Sequence, residues 1–98
     1  MTPQQYLPLL ASLLLLLGAC ETAPPVQEMS DARQAIDVAR EAGAEAHAAS
    51  ELNEALRLLE AAEHELDVEE YARARRSAVQ AKTKALEARA LSEASRPR

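Results

Sequence analysis

The sequence predicts an all-α domain, either an antiparallel helical hairpin or a small three-helix bundle, that follows a signal peptide and a short linker. Two observations carry this prediction. Of the 79 residues from 20 to 98, 51 are Ala, Glu, Arg, Leu or Lys, which are strong helix formers. Small and apolar residues also recur there at intervals of three and four, the spacing of one helix face. With 22 alanines in the chain, the predicted domain is alanine-rich.

The first element is an apolar run from Leu9 to Leu17, interrupted by one alanine and one serine. This run of nine residues is too short to cross a bilayer, which needs roughly 20, and it has the length of the apolar part of a secretory signal peptide. We therefore expect residues 1–19 to be a cleaved signal peptide. Residues 1–6 contain no Lys or Arg, although such a leader is normally positive. Either the terminal amine supplies the charge, or translation starts upstream.

The motif directly after this run, Leu17-Gly18-Ala19-Cys20, resembles the lipobox of bacterial lipoproteins. The resemblance implies that the Cys20 sulfur receives a diacylglyceryl group, that cleavage falls between Ala19 and Cys20, and that the new amino group is acylated. Each buried CH₂ contributes about 0.8 kcal/mol, so two or three acyl chains would anchor the protein without a spanning helix. In enteric lipoproteins an Asp after the cysteine retains the protein in the inner membrane. Here that residue is Glu21, which implies the outer membrane.

The linker predicted after the signal peptide covers residues 20–29. Two prolines in the stretch ETAPPVQEM predict an extended spacer in place of regular helix. Ser30 and Ser50 then offer N-caps for two successive helices, and the first helix is predicted over residues 31–46. Because glycine is costly inside a helix, this helix either ends at Gly43 or continues with a kink.

Two further helices complete the predicted domain, which covers residues 30–95 and leaves 96–98 frayed. Helix two, over 51–66, has the clearest apolar face, and helix three, over 69–94, has a face made mainly of alanine. Alanine permits close helix approach but buries little area. The stretch from 67 to 71 is predicted to turn the chain between antiparallel helices. The two faces consist of Leu52, Ala55, Leu56, Leu59, Ala62 and Leu66 in helix two, and of Tyr71, Ala74, Ala78, Ala81 and Ala85 in helix three.

Charge is segregated along the chain. Residues 21–70 carry 14 acidic and 3 basic side chains, whereas residues 71–98 carry 2 acidic and 8 basic ones. Antiparallel pairing would bring these charges together, and exposed ion pairs of about 0–1 kcal/mol each would select orientation. The alternatives are an ordinary solvated face and a basic helix that binds an anionic envelope component. The acidic residues concerned are Glu54, Glu60, Glu63 and Glu65, and the anionic-partner face comprises Arg73, Arg75, Arg76, Lys82 and Lys84.

Three segments, SDARQAIDVAREAGAEAHA, ELNEALRLLEAAE and DVEEYARARRSAVQA, lie between Ser30 and about Leu91. Together they resemble the bacterial lipoprotein family catalogued as domain of unknown function 4398. In that family, similar segments stand alone or precede a peptidoglycan-binding domain like that of outer-membrane protein A, and we expect no such second domain here. The EYARA stretch is also similar to one tetratricopeptide-type hairpin, although such arrays generally need three or more repeats.

The inventory of reactive side chains is small. Cys20 is assigned to the lipid, and His47 and His64 stand in no known catalytic motif. Neither histidine has the glutamate three residues earlier that the di-iron bundle signature requires. The sequence also has no glycine-rich phosphate loop and no basic patch interleaved with aromatics. We therefore expect no enzyme activity, metal, other cofactor, small-molecule substrate or nucleic acid.

The predicted function is a non-catalytic structural or interaction role in the bacterial envelope, with Cys20 tethering the protein to the periplasmic face of the outer membrane. The expected partners are the membrane, and peptidoglycan or a peptidoglycan-binding envelope protein. A domain with so few large apolar side chains should be marginally stable alone. One alternative is therefore a homo-oligomer formed through the alanine face, as in the major alanine-zipper lipoprotein. The other is a tetratricopeptide-like adaptor for an envelope protein.

Overall fold

A computed structural model of the chain describes residues 23–97, which form four α-helices joined by short connections. Helix α1 covers Val26–Glu41, α2 covers Ala44–His47, α3 covers Ala49–Asp67 and α4 covers Tyr71–Ala94. The described part of the chain contains no strand, so the predicted all-α class is confirmed. Of the two predicted architectures, the structure adopts the three-helix bundle, because the three long helices all pack against one another.

Helix α4 packs along both other long helices, whereas α1 and α3 contact each other less extensively. Met29, near the start of α1, shares a buried cluster with Ala78 in the first half of α4. Ala39, near the end of α1, shares the other cluster with Leu52 at the start of α3 and Ala88 late in α4. Helices α1 and α4 are therefore parallel and α3 is antiparallel to both. The start of α1 and the α3–α4 turn consequently lie together, at what we call the proximal end of the bundle.

The core is built mainly from alanine. Every buried residue of α4 is an alanine except Ser92, whose hydroxyl donates a hydrogen bond to the Ala88 carbonyl at 2.7 Å. The larger buried side chains come from the neighbouring helices, with Met29 and Ile36 on α1 and Leu52 on α3. The alanines of the predicted packing face of the third helix thus lie inside the bundle, whereas Tyr71, which was predicted on the same face, is only partly buried. The fully buried alanines of α4 are the predicted Ala74, Ala78, Ala81 and Ala85, and also Ala88.

The apolar face of α3 also packs as predicted. Leu52, Ala55 and Ala62 are buried. Leu56 and Leu59 are partly buried and pack against the larger of the two clusters. Because leucine side chains reach farther than alanine methyls, α3 supplies much of the apolar volume that α4 lacks.

The beginning of α1 corrects the predicted linker. The helix begins at Val26, so residues 26–29, which were expected to be extended, are helical. Pro25 stands immediately before the first turn, where its missing N–H is not needed and its fixed φ suits entry into a helix. The Pro25 carbonyl accepts a hydrogen bond from the Met29 N–H at 3.1 Å. Ser30 lies within α1 and is not its N-cap.

The end of α1 decides between the two alternatives left open at Gly43, and it lies before the predicted residue 46. Helix α1 stops at Glu41, because Gly43 adopts a left-handed conformation with φ 95° that terminates helices. The Gly43 N–H donates to the Arg40 carbonyl at 2.9 Å, which satisfies one carbonyl of the last turn. After the single turn of α2, the chain enters α3 through Ala48 as its N-cap, and the predicted cap Ser50 lies inside the helix.

The turn between α3 and α4 lies in the predicted stretch. Helix α4 begins at Tyr71, two residues later than predicted, with Glu70 at its N-cap position. Glu69 adopts a left-handed φ of 61°, which reverses the chain. The Glu70 N–H donates to the Glu65 carbonyl at 2.8 Å and closes the turn.

Candidate functional site

The predicted lipid-attachment motif, Leu17, Gly18, Ala19 and Cys20, lies outside the described residues. The first described residue, Ala23, follows Cys20 by three positions. The structure therefore bears on this site only by locating the point at which the chain enters the bundle. Among the helices between residues 23 and 97, none contains an apolar stretch of the length that spanning a bilayer requires.

Arg75 of α4 holds this entry point in place. Its Nε donates to Glu28 Oε1 at 3.2 Å, and its Nη2 donates to the Ala23 carbonyl at 2.9 Å. The side chains of Arg75 and Glu28 are 31% and 33% exposed. Both the basic and the acidic side chain are less exposed than their counterparts in the other ion pairs of the described residues. Solvent therefore screens this pair less than an ordinary surface pair. The neighbouring Pro25 is buried, so the stretch before α1 is held by polar contacts to α4 and by the burial of its proline.

Sequence reasoning missed this three-residue arrangement. Arg75 is 47 positions from Glu28 and 52 from Ala23 in the sequence. No local periodicity relates residues that are so far apart. Arg75 meets Glu28 and Ala23 only because α1 and α4 lie side by side and parallel in the bundle.

The five cations of the predicted anionic-partner face are distributed over different sides of α4. Arg75 contacts α1. Arg73 and Lys84 each pair with a glutamate three residues away in sequence, at 3.2 and 3.1 Å. Arg76 and Lys82 have no ion pair with any residue that the structure describes. Three of the five charges are thus compensated within the bundle, and the binding of an anionic partner stays a prediction.

None of the ion pairs predicted between the second and third helices forms among the described residues. Glu63 pairs with Arg33 of α1 at 3.4 Å, and Glu65 accepts a hydrogen bond from the hydroxyl of Ser77. Glu60 is exposed and has no ion pair among the residues described. The expectation was wrong because it ignored α1, which lies beside both helices, and the short-range pairs available within each helix.

The carboxylates of α3 affect the pKa of one cation of α4, Lys84. Its hydrogen bond to Glu87 and the charge of Glu87 raise the pKa of Lys84 above its ordinary value, and the charges of Glu54 and Glu51 raise it further. The prediction that Glu54 lies near a basic residue of the last helix is therefore confirmed. Because Lys84 remains in contact with water, this attraction contributes little to stability.

The described residues contain no cluster that suggests catalysis. His47 and His64 are both exposed and lie on different helices. Between residues 23 and 97, no group of three or more His, Cys, Asp or Glu side chains could hold a metal ion. A groove between α1 and α4 is open to solvent and lined by charged, polar and aliphatic side chains, among them Val38 and Leu86.

Comparison with known proteins places the chain in a family. The family model described as Domain of unknown function (DUF4398) matches residues 27–98. The match includes all of α2, α3 and α4 and all but the first residue of α1. The chain therefore belongs to this family, as its three sequence segments predicted. No curated protein and no solved structure matches it.

Proposed function

We propose that this protein is a non-catalytic lipoprotein of the bacterial envelope, attached through Cys20 to the periplasmic face of the outer membrane. The observation that carries the proposal is the motif Leu17-Gly18-Ala19-Cys20 at the end of a nine-residue apolar run. A small-residue pair directly before the cysteine is what the lipoprotein peptidase of such a pathway would require.

The place where the chain enters the bundle supports this proposal. Arg75 holds Ala23 against α4, and three residues span at most about 10 Å. A lipid on Cys20 would consequently keep the proximal end of the bundle next to the headgroups. Helix α4, with 24 residues, would extend about 36 Å from that end. The bundle would then present its charged sides to components of the envelope close to the membrane.

We further propose that the partner is peptidoglycan or a peptidoglycan-binding envelope protein. Peptidoglycan carries carboxylates to which arginine and lysine side chains can donate hydrogen bonds. Among the five cations singled out in the sequence, Arg76 and Lys82 have no acidic partner in the described part of the chain. They are therefore the first residues to test for this contact.

The anchor is tested by replacing Cys20→Ser in the full chain. Cells are grown with an alkyne-bearing fatty acid, and membrane and soluble periplasmic fractions are compared. We expect the parent protein to carry the label and to sediment with the outer membrane, and the variant to lose both properties. The matched control is Glu21→Gln, which alters the neighbouring residue and keeps the thiol. Retention of the serine variant in the membrane fraction would show that Cys20 is not the anchor.

The partner is tested by isolating peptidoglycan sacculi and measuring how much protein they retain. We expect the paired change Arg76→Glu and Lys82→Glu to reduce retention. The control is Arg57→Glu, which reverses a cation on α3 that is 74% exposed. Equal retention of all three proteins would reduce Arg76 and Lys82 to solvated surface charges.

A further inference from the structure

Helix α4 carries a second regular face away from its buried alanines, and one edge of this face, at Leu86, borders the groove between α1 and α4. The buried residues of α4 follow one another at alternating spacings of four and three. A second set has the same spacing, and all its members are exposed. Its two largest apolar side chains, Val79 and Leu86, are 49% and 46% exposed. We call this set the outer stripe, and it consists of Ala72, Arg76, Val79, Thr83, Leu86 and Ala90.

We propose that the outer stripe is a dimer interface, through which two copies of this chain pair in parallel as a short coiled coil between their α4 helices. Alternating spacings of four and three define a heptad repeat. Ala72, Val79 and Leu86 take the d positions, and Arg76 and Thr83 take a positions. Leucine at d together with a β-branched residue at a favours two-stranded parallel coils, and Leu86 and Thr83 provide one such pair. Two of the three a residues, Arg76 and Thr83, are polar, which fixes the register at a cost in stability.

The polar residue Thr83 is compatible with this interface. Its hydroxyl donates to the Val79 carbonyl of the same helix at 3.1 Å. The hydroxyl therefore needs no new partner when water is removed from the stripe. Arg76 lies near the start of α4, so its long side chain can reach solvent at the end of a coil.

Charges beside the stripe favour the parallel arrangement. In a parallel coil, the g residue of one helix faces the e residue of the following heptad on the other helix. Here Lys82 would face Glu87 of the second copy, and Arg75 would face the neutral Gln80. The dimer would therefore compete with Lys84 of the same chain for Glu87 and with the proposed anionic partner for Lys82. Lys82 forms no ion pair within its own described chain, although it lines the groove between α1 and α4 together with Asp31. An antiparallel coil would instead bring Lys82 against Lys82 and Arg75 against Arg89, and these repulsions outnumber its one kind of attractive contact, between Arg73 and Glu87.

The proposed anchor agrees with the same orientation. Parallel pairing places both Ala23 residues at the same end of the dimer, as two chains tethered to one leaflet require. A stripe of 19 residues from Ala72 to Ala90 offers a limited area, but tethering to a surface raises the effective concentration of the second copy. This part of the argument rests on the proposed function, whereas the stripe and its flanking charges do not.

Disulfide trapping in the full chain tests the interface. Cysteine at a d position of a parallel coil lies within the Cα separation of about 4.4–6.8 Å that a disulfide needs. We expect Leu86→Cys to give a covalent dimer under mild oxidation of membranes. The control is Leu91→Cys, at a site that is also 46% exposed but lies off the stripe. The parent chain, whose one cysteine is Cys20, serves as a second control, because any covalent dimer that it forms must arise through Cys20.

A charge exchange tests the register. Lys82→Glu and Glu87→Lys should each lower the yield of the Leu86→Cys dimer several-fold, and the double exchange should restore it. The same charge variants are also made in a Cys20→Ser background, and their dimerisation is measured by sedimentation equilibrium. This measurement does not depend on the lipid anchor. Dimers that form in this background support the interface even if lipidation fails. Equal trapping at positions 86 and 91, a monomer at all concentrations, or no rescue by the exchange would overturn the proposal.

Discussion

Arg75 on α4 and Glu28 on α1 form an ion pair of 3.2 Å that joins the first turn of α1 to the helix farthest from it in sequence. The same guanidinium holds the Ala23 carbonyl at 2.9 Å. One side chain thus secures both the start of α1 and the stretch that leads to the proposed anchor. The position of the tether relative to the bundle depends on this contact.

Replacing Arg75→Ala should therefore destabilise the bundle. Hydrogen bonds to charged groups contribute about 1.5–3 kcal/mol when shielded, and partial exposure reduces this to roughly 1 kcal/mol. Urea denaturation followed by circular dichroism measures the change. Amide exchange should increase at residues 26–29, which pack at this end. The control is Arg73→Ala, whose ion pair with Glu70 is 65% and 47% exposed and should contribute less than about 0.5 kcal/mol. Equal effects would remove the special role of Arg75.

Gly43 should resist replacement by alanine. Its φ of 95° is in the left-handed region, where a Cβ costs about 1–2 kcal/mol. A Cβ there would lie 3.4 Å from His47 Cδ2, an ordinary contact, so the loss arises from the backbone. We expect Gly43→Ala to lower the free energy of unfolding by this amount and Gly43→Asn to lower it less, because asparagine tolerates this region. Identical losses for the two variants would indicate crowding instead.

The two faces of α4 should respond differently to larger side chains. Ala81 is fully buried, so Ala81→Leu should overpack the core and lower the free energy of unfolding by about 1–3 kcal/mol. Ala90 is exposed on the outer stripe, so Ala90→Leu should leave the bundle intact and strengthen dimerisation. Thermal unfolding at low protein concentration and sedimentation equilibrium distinguish the two effects. A destabilised Ala90→Leu monomer would argue against a free outer face.

The residue after the lipidated cysteine should control sorting. By resemblance to enteric lipoproteins, Glu21→Asp should move the protein from the outer to the inner membrane, while Glu21→Gln should not. Density-gradient separation of the two membranes measures this distribution. If the Glu21→Asp variant stayed in the outer membrane, the residue after the cysteine would not control lipoprotein sorting in this host.

Several elements follow from local sequence chemistry. The alanine face of α4 and the leucine face of α3 are visible as three- and four-residue spacings, because helix geometry alone relates such positions. The reversal near residues 68–70 is visible because it interrupts both patterns. The start of α1 is less visible, since a proline predicts a break and also suits the first turn of a helix. The structure shows that residues 26–29 are helical, and this places Met29 in a buried cluster with residues of the other two long helices.

By itself, the sequence determined the all-α class, the alanine core and the segregation of charge, because composition and short-range spacing specify helices and their apolar faces. Only the tertiary structure decided which charges meet. Arg75 reaches Glu28 and Arg33 reaches Glu63 because α1 lies against both α4 and α3. Such contacts depend on how helices distant in sequence pack, and exposed ion pairs contribute too little free energy to impose that arrangement themselves.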